Sequence, residues 1–238
     1  MSVADRVVVI TGATGIAGPV VAREFAAQGA RCALLARSRD ELEALATSLP
    51  GGRDRHLALP VDLGSADGAA QAAEVVRERL GKADALLHLV GTYRGGAGLA
   101  QTPASDWDLL LEANLRTAAR AIAAFLPQLV EGGWGRIVAV SSVFAQQPGA
   151  TNAAYAASKA GLEALILGAA REGYEHGVTA NVLVVRSIRT EPPDGSDPAG
   201  ARKWTRPEEI AASMLWLCSD EASLITGARI PLHGGTTA

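Results

Sequence analysis

A strand that runs straight into a glycine-rich turn and then a helix constrains this chain more than any other feature. Arg6–Thr11 (RVVVIT) leads into Thr11-Gly12-Ala13-Thr14-Gly15-Ile16-Ala17-Gly18, and a helical apolar pattern follows over Ile16–Gln28. Glycines at such a turn let the backbone approach a phosphate, and the first helical turn meets that charge with unpaired N–H groups. A tight turn alone can also require glycine. The order strand, turn, helix is what makes Gly12, Thr14, Gly15 and Ile16 candidate cofactor contacts.

The same alternation continues to the end of the chain. Further strands are expected at Arg31–Ala36 (RCALLA), His56–Val61, Ala83–Val90 (ADALLHLV), Arg136–Ser141 (RIVAVS), Val178–Val185 and Ala228–Pro231. Helices are expected at Asp40–Ser48, Ser65–Leu80, Asp106–Val130 with Ser105 as its N-cap, Asn152–Glu172 and Pro207–Ser219. The strands are unbroken apolar runs, which means burial on both faces, as in a parallel sheet covered by helices. The expected fold class is therefore α/β, a doubly wound parallel sheet of the Rossmann kind, in one domain spanning 1–238. Glu191–Gly200 (EPPDGSDPAG) is rich in Pro, Gly and Asp. It is expected to belong to a substrate loop, 186–205, over the carboxyl ends of the strands, where such sheets bind ligands.

Composition matters mainly for what it excludes. A net charge of −3 offers no electrostatic footprint for nucleic acid. Cys32 and Cys218 lie far apart in apolar runs and read as reduced, buried thiols. His56, His88, His176 and His233 are scattered, so no metal site is expected. No apolar stretch of about twenty residues occurs, and Met1–Asp5 lacks the features of a signal peptide. The expectation is a cytoplasmic protein with no membrane partner.

Two further patterns carry chemistry. The second strand ends at Ala36-Arg37-Ser38, where an NAD site usually has an acid to hold the ribose 2′-hydroxyl. Ala36 cannot do that, whereas Arg37 can pair with a 2′-phosphate, so NADP(H) is favoured over NAD(H). Tyr155 and Lys159 lie four residues apart on an expected helix, hence on one face. An ammonium stabilises a nearby phenolate and brings tyrosine toward the range useful for proton transfer. Ser141 and Ser142 end the fifth strand, at the mouth of the crevice, where a hydroxyl can donate to a carbonyl oxygen. A serine pair there can equally be a turn or cap, and Asn114 within the long helix can be a locally bonded residue.

Together these residues resemble the short-chain dehydrogenases/reductases. Tyr155-Ala-Ala-Ser158-Lys159 matches the family's YxxSK motif, Ser142 precedes the tyrosine as its catalytic serine does, and Asn114 falls where its asparagine falls. Asp62, after the third strand and before the further cofactor candidate Leu63, matches the family's acid that meets the adenine, and Thr190 a threonine that often touches the nicotinamide amide, beside Ile188. The pattern Arg206-Pro207-Glu208-Glu209-Ile210-Ala211 … Gly234-Gly235 is also similar, so the resemblance covers nearly the whole chain. It implies that Tyr155 is the acid/base, that Ser142 binds the reacting oxygen, that Lys159 holds the ribose hydroxyls and lowers the pKa of Tyr155, and that Asn114 holds a relay water. Ser38, Val90 and Gly91 would join Gly12, Thr14, Gly15, Ile16, Arg37, Asp62, Leu63, Ile188 and Thr190 around the cofactor. The substrate would be a small-molecule carbonyl or secondary alcohol, and the assembly a homotetramer.

The chain also departs from that family. Its glycine turn has the spacing GxxGxxG, its Asn-Asn-Ala-Gly run is His88-Leu89-Val90-Gly91, and its Pro-Gly after the sixth strand is Val185-Arg186. Leu89 cannot make an asparagine's polar contacts. Arg186 either faces cofactor or an anionic substrate, with Arg94 and Arg189 nearby, or turns to solvent. The alternative function is a non-catalytic NADP(H)-binding regulator of the same fold. An enoyl reductase of this fold would have its lysine seven residues after the tyrosine rather than four, and a hydrolase would need a G-x-S-x-G elbow, which is absent.

Overall fold

The structure is a computed structural model that describes residues 3–190 and 204–233. Seven strands form one parallel sheet in the order β3-β2-β1-β4-β5-β6-β7. They are β1 (Val7–Thr11), β2 (Arg31–Ala36), β3 (Leu57–Pro60), β4 (Ala85–His88), β5 (Gly135–Ser142), β6 (Val178–Val185) and β7 (Arg229–Pro231). The helices are α1 (Gly18–Ala27), α2 (Arg39–Ser48), the short α3 (Gly52–Arg55), α4 (Gly68–Leu80), α5 (Ala104–Leu111), α6 (Thr117–Glu131), α7 (Ala153–Gly173) and α8 (Pro207–Leu217). The expected doubly wound α/β fold is the one observed. Glu191–Gly200, and most of the loop 186–205, lie outside the described residues.

Each sheet face has its own apolar core. Val8, Ile10, Leu87, Val138 and Leu183 point to one side, against Phe25 of α1, Leu42 of α2 and Met214 of α8. Val9, Leu35, Leu86, Ile137 and Val182 point to the other, against Val76 of α4, Phe125 of α6 and Ile166 of α7. This two-sided burial is why the strands read as continuous apolar runs. Burial pushes the thiols of Cys32 and Cys218 up to about 12, so both are inert packing residues.

The order of the strands reverses between β1 and β4, which are paired in parallel with Thr11 opposite His88. That switch point opens a crevice at the carboxyl ends of the strands. The glycine turn fills its floor. Gly12 has φ +70°, and a Cβ there would lie 3.0 Å from the backbone carbon of Leu89. Gly18 packs so closely that a Cβ would sit 2.3 Å from the carbonyl oxygen of Ala13.

Two expectations about the long helix are corrected. It opens two residues earlier, at Ala104, and Pro103 rather than Ser105 is its N-cap, because the fixed proline φ already suits that position. Nor is Asp106–Val130 one regular helix: α5 and α6 are joined by a π-helical turn over Glu112–Arg116. Apolar periodicity runs on through such a bulge and so cannot reveal it.

The contacts at Gly18 give a paired test. Gly18→Ala is expected to lower stability by about 1–3 kcal/mol or more through overpacking. Gly168→Ala, in α7, meets nothing within 4 Å and is expected to raise stability by about 0.4–1 kcal/mol. Urea unfolding of both variants checks the two signs.

Candidate active site

Three consecutive residues at the end of β5 hold three side chains spaced four apart on α7. Lys159 Nζ donates to the Val140 carbonyl oxygen at 3.0 Å. Ser141 Oγ donates to Glu163 Oε1 at 2.6 Å. The Ser142 hydroxyl favours the ionised form of the Tyr155 phenol, and its oxygen accepts from the Phe144 backbone N–H at 3.3 Å. The strand thus sets the height of Tyr155, Lys159 and Glu163 along the helix.

Asn114 reaches the same place from the π-helical turn and is fully buried. Its amide nitrogen donates to Ser158 Oγ at 2.9 Å and to the Thr92 carbonyl at 3.0 Å, while its oxygen accepts from Thr92 N–H at 2.8 Å. Those bonds are tertiary rather than local, so Asn114 ties the loop after β4 to α7. A π-turn is a recurrent way of aiming one residue at a functional site. Gly91 lies in that loop, and a Cβ on it would stand 3.0 Å from Lys159 Nζ and 3.1 Å from Asn114 Oδ1. The structure therefore brings Asn114, Ser142, Tyr155, Lys159 and Gly91 into one cluster.

Its electrostatics are set by dryness. Burial pushes Lys159 down to about 8, and the Glu163 carboxylate opposes that shift. Burial pushes the Tyr155 phenol up; the Ser142 hydroxyl pulls it down, and Tyr93 raises it further. Burial thus outweighs the Ser142 hydroxyl, and the phenol stands above the ordinary tyrosine value. Tyr93 packs edge-on to the Tyr155 ring with centroids 4.9 Å apart, and Phe144 does the same at 6.4 Å.

His88 was read from the sequence only as a departure. It is buried on β4 with Nδ1 2.9 Å from Thr11 Oγ1, and Nε2 has no hydrogen-bond partner among the described residues. Burial, and then the charge of Lys159, push its imidazole down to about 3. It is neutral at pH 7 and joins β1 to β4 at the switch point. Leu89 is partly buried against the apolar core, which accounts for its lack of polar function.

The cofactor candidates stand at the carboxyl ends of the strands and in the segments that follow them. Gly15 and Ile16 are exposed at the turn, and Ile16 is 63% exposed, unusual for an isoleucine. Thr14 is half-buried beside them. Arg37 is exposed at the end of β2, with Ser38 as the N-cap of α2. Asp62 is exposed, and its carboxylate accepts from Gly64 N–H at 2.9 Å; Leu63 is buried and Val90 partly so. Thr190 is exposed and Ile188 half-buried in the segment that leaves β6. Arg94, Arg186 and Arg189 are all exposed, and the charge of Arg186 acts on His233 at the neighbouring strand end. A dinucleotide fits this surface. Gly15 and Ile16 of the glycine turn are exposed, Gly91 leaves room beside Lys159 that a Cβ would fill, and Arg37 is exposed at the end of β2.

Glu163 is the one polar partner that sequence reading missed altogether. Its spacing of four from Lys159 was the available signal. Among the described residues no group of His, Cys, Asp and Glu could hold a metal, and no helix is long and apolar enough to cross a membrane.

Known proteins share this architecture. Residues 12–237 match a family model described as enoyl-(acyl carrier protein) reductase. The chain is 31% identical to D-threitol dehydrogenase of Mycolicibacterium smegmatis, over 98% of this chain and 93% of that protein. It is 30% identical to the 3-oxoacyl-[acyl-carrier-protein] reductase of Pseudomonas aeruginosa, over 99% and 98%. Among solved structures, a blue fluorescent protein from a metagenomic library, in complex with NADPH, superposes with a TM-score of 0.88 at 27% identity, with all of both chains covered.

Burying Lys159 has a thermodynamic consequence. Below pH 8 the ammonium is buried at full cost. Between about 8 and the ordinary lysine value the folded state releases its proton first, so stability from this group rises with pH. Lys159→Met is therefore expected to be more stable than the wild type below pH 8. The gain is about 2 kcal/mol, the burial cost less one lost hydrogen bond, and it shrinks toward pH 10. Urea unfolding at pH 6, 7, 9 and 10 measures it.

Proposed function

Since the chain belongs to the short-chain dehydrogenase/reductase family of oxidoreductases, we propose that it interconverts a small-molecule carbonyl and the corresponding secondary alcohol with NADP(H). The observation that carries this reading is the cluster of buried Asn114, Ser142 and Lys159 with half-buried Tyr155, held by β5 and the π-turn. When bound, the nicotinamide supplies a hydride to the carbonyl carbon, or takes one from the alcohol carbon.

The chain's own residues do the rest. In reduction, Ser142 donates a hydrogen bond to the carbonyl oxygen and holds it beside the Tyr155 hydroxyl. Tyr155 gives its proton to that oxygen as negative charge develops there, and takes it back in the oxidative direction. A phenol pushed up by burial is a ready donor only if its phenolate is stabilised in the step. The Ser142 hydroxyl and the Lys159 ammonium serve that purpose, at a site dry enough for both to act strongly. Lys159 also binds the ribose hydroxyls, and Asn114 steadies the relay between Lys159 and solvent. Tyr93 and Phe144 fix the Tyr155 ring and keep water from its faces.

For the cofactor, Gly12, Thr14, Gly15 and Ile16 bind the diphosphate, Arg37 and Ser38 the 2′-phosphate, and Asp62 and Leu63 the adenine. Val90, Gly91, Ile188 and Thr190 line the nicotinamide side. An exposed guanidinium at the end of β2, with alanine before it, supports NADP(H) over NAD(H). The family model's description raises enoyl reduction as a second chemistry. The four-residue step between Tyr155 and Lys159, which sets them against Ser142 and Val140 at the end of β5, favours the carbonyl reading. A cytoplasmic homotetramer completes the proposal.

Two variants test it. Tyr155→Phe is expected to keep the fold and the affinity for NADPH while turnover on a panel of ketones and alcohols drops about a hundred- to ten-thousand-fold. Near wild-type turnover in that variant would remove the assigned acid/base. Arg37→Ala is expected to raise the Michaelis constant for NADPH much more than that for NADH; equal losses would show that Arg37 does not read the 2′-phosphate.

A further inference from the structure

Glu163 sits one turn beyond Lys159 on α7, with only 11% of its side chain exposed. Both of its oxygens are engaged. Oε1 accepts from Ser141 Oγ at 2.6 Å and from Arg229 Nη2 at 3.3 Å, and Oε2 accepts from Arg229 Nε at 2.6 Å. The carboxylate therefore joins β5, α7 and β7 within one turn of the buried ammonium. A paired surface carboxylate would contribute little. This one is nearly dry, and its charge acts on Lys159 through an interior that screens weakly.

We propose that Glu163 is a positioning residue for the reaction: it is the counter-charge that keeps Lys159 an ammonium beside Tyr155, and Arg229, by competing for the same carboxylate, sets how strongly it does so. The proposal rests on the reading of Lys159 and Tyr155 given above. The charges around Lys159 make the assignment specific. On α7 it faces Tyr155 and Glu163. From β4 it faces His88, which is neutral and supplies no negative charge. From β5 come only the Val140 carbonyl and two serine hydroxyls, and from the π-turn the uncharged amide of Asn114. Arg229, from β7, reaches it through Glu163. Glu163 is thus the one carboxylate among the described residues that acts on Lys159, and burial alone drives the lysine toward the neutral amine.

A purely structural tie predicts that Glu163 can be replaced by an isosteric acceptor without changing Lys159. A counter-charge predicts opposite shifts for its two flanks. Removing the negative charge makes Lys159 lose its proton at lower pH. Removing Arg229 frees the carboxylate and makes Lys159 lose it at higher pH.

The experiment is an NMR titration of labelled lysine side chains in the full chain, compared among wild type, Glu163→Gln, Glu163→Asp and Arg229→Met. The chain has three lysines, Lys82, Lys159 and Lys203, so the signal lost in Lys159→Met assigns the resonance. In Glu163→Gln the Lys159 midpoint is expected to fall by about one pH unit, the size an opposite charge at this range commonly gives. Glu163→Asp is expected to restore part of the shift, and Arg229→Met to raise the midpoint above the wild type. An unchanged midpoint in folded Glu163→Gln, or movement of both variants in the same direction, overturns the proposal. If Glu163→Gln does not fold, Arg229→Met decides: a rise supports the assignment and no rise overturns it. The titration needs no turnover. A shifted midpoint with an active Tyr155→Phe enzyme would sink the catalytic reading alone, and an unmoved midpoint with an inactive Tyr155→Phe would sink this one alone.

Discussion

The docking of α7 against the last three residues of β5 is the contact on which the rest of the site depends. Val140, Ser141 and Ser142 receive Lys159, Glu163 and Tyr155 in turn. In helix order Tyr155, Lys159 and Glu163 meet Ser142, Val140 and Ser141, so side-chain reach, not a common step along helix and strand, makes the match where the two elements cross. The apolar residues of α7 that face the sheet, Leu162 and Ile166 among them, hold that crossing. Sliding α7 by one residue would misplace three side chains at once. The precision of the site is therefore inherited from an ordinary hydrophobic layer, built on a helix and a strand rather than on loops.

The other half of the crevice follows from topology. Because strand order reverses between β1 and β4, the turn after β1 and the loop after β4 face each other across the switch point. Gly12 permits the close approach of the two, and the pair of Thr11 and His88 ties the strand ends beneath them. Asn114 then fixes the second loop to α7 through Thr92 and Ser158. Each loop near the reacting atoms is thus anchored by at least one buried polar contact. Such contacts are costly unless complete, and among the described residues only His88 Nε2 is left without a partner in this layer.

How much of this was legible beforehand depended on the range of the interaction. Strands showed themselves because burial on both faces leaves continuous apolar runs; β2 and β6 fall at Arg31–Ala36 and Val178–Val185, as read. Tyr155, Lys159, Ser142 and Asn114 were legible through motif spacing, and the helix places the first two as the spacing required. The π-turn was not legible, because one extra residue in a helix leaves the hydrophobic pattern almost unchanged. Nor was the N-cap, where Ser105 had the better side chain but Pro103 had the better backbone. Glu163 escaped because its partners, Ser141 and Arg229, are 22 and 66 residues away in sequence. Polar contacts of that span leave no periodic trace, and only its step of four from Lys159 hinted at a role.

The buried lysine shows where the fold gives up stability for chemistry. An apolar residue at 159 would pack against α7's neighbours without any desolvation cost, whereas the ammonium is held at the edge of deprotonation. The same dryness that makes the charge costly also strengthens its effect on a phenolate forming nearby, since little water is present to screen it. A surface lysine would be cheaper and nearly useless for that purpose. The carboxylate of Glu163, itself held by Arg229, works against that desolvation by favouring the charged form of Lys159.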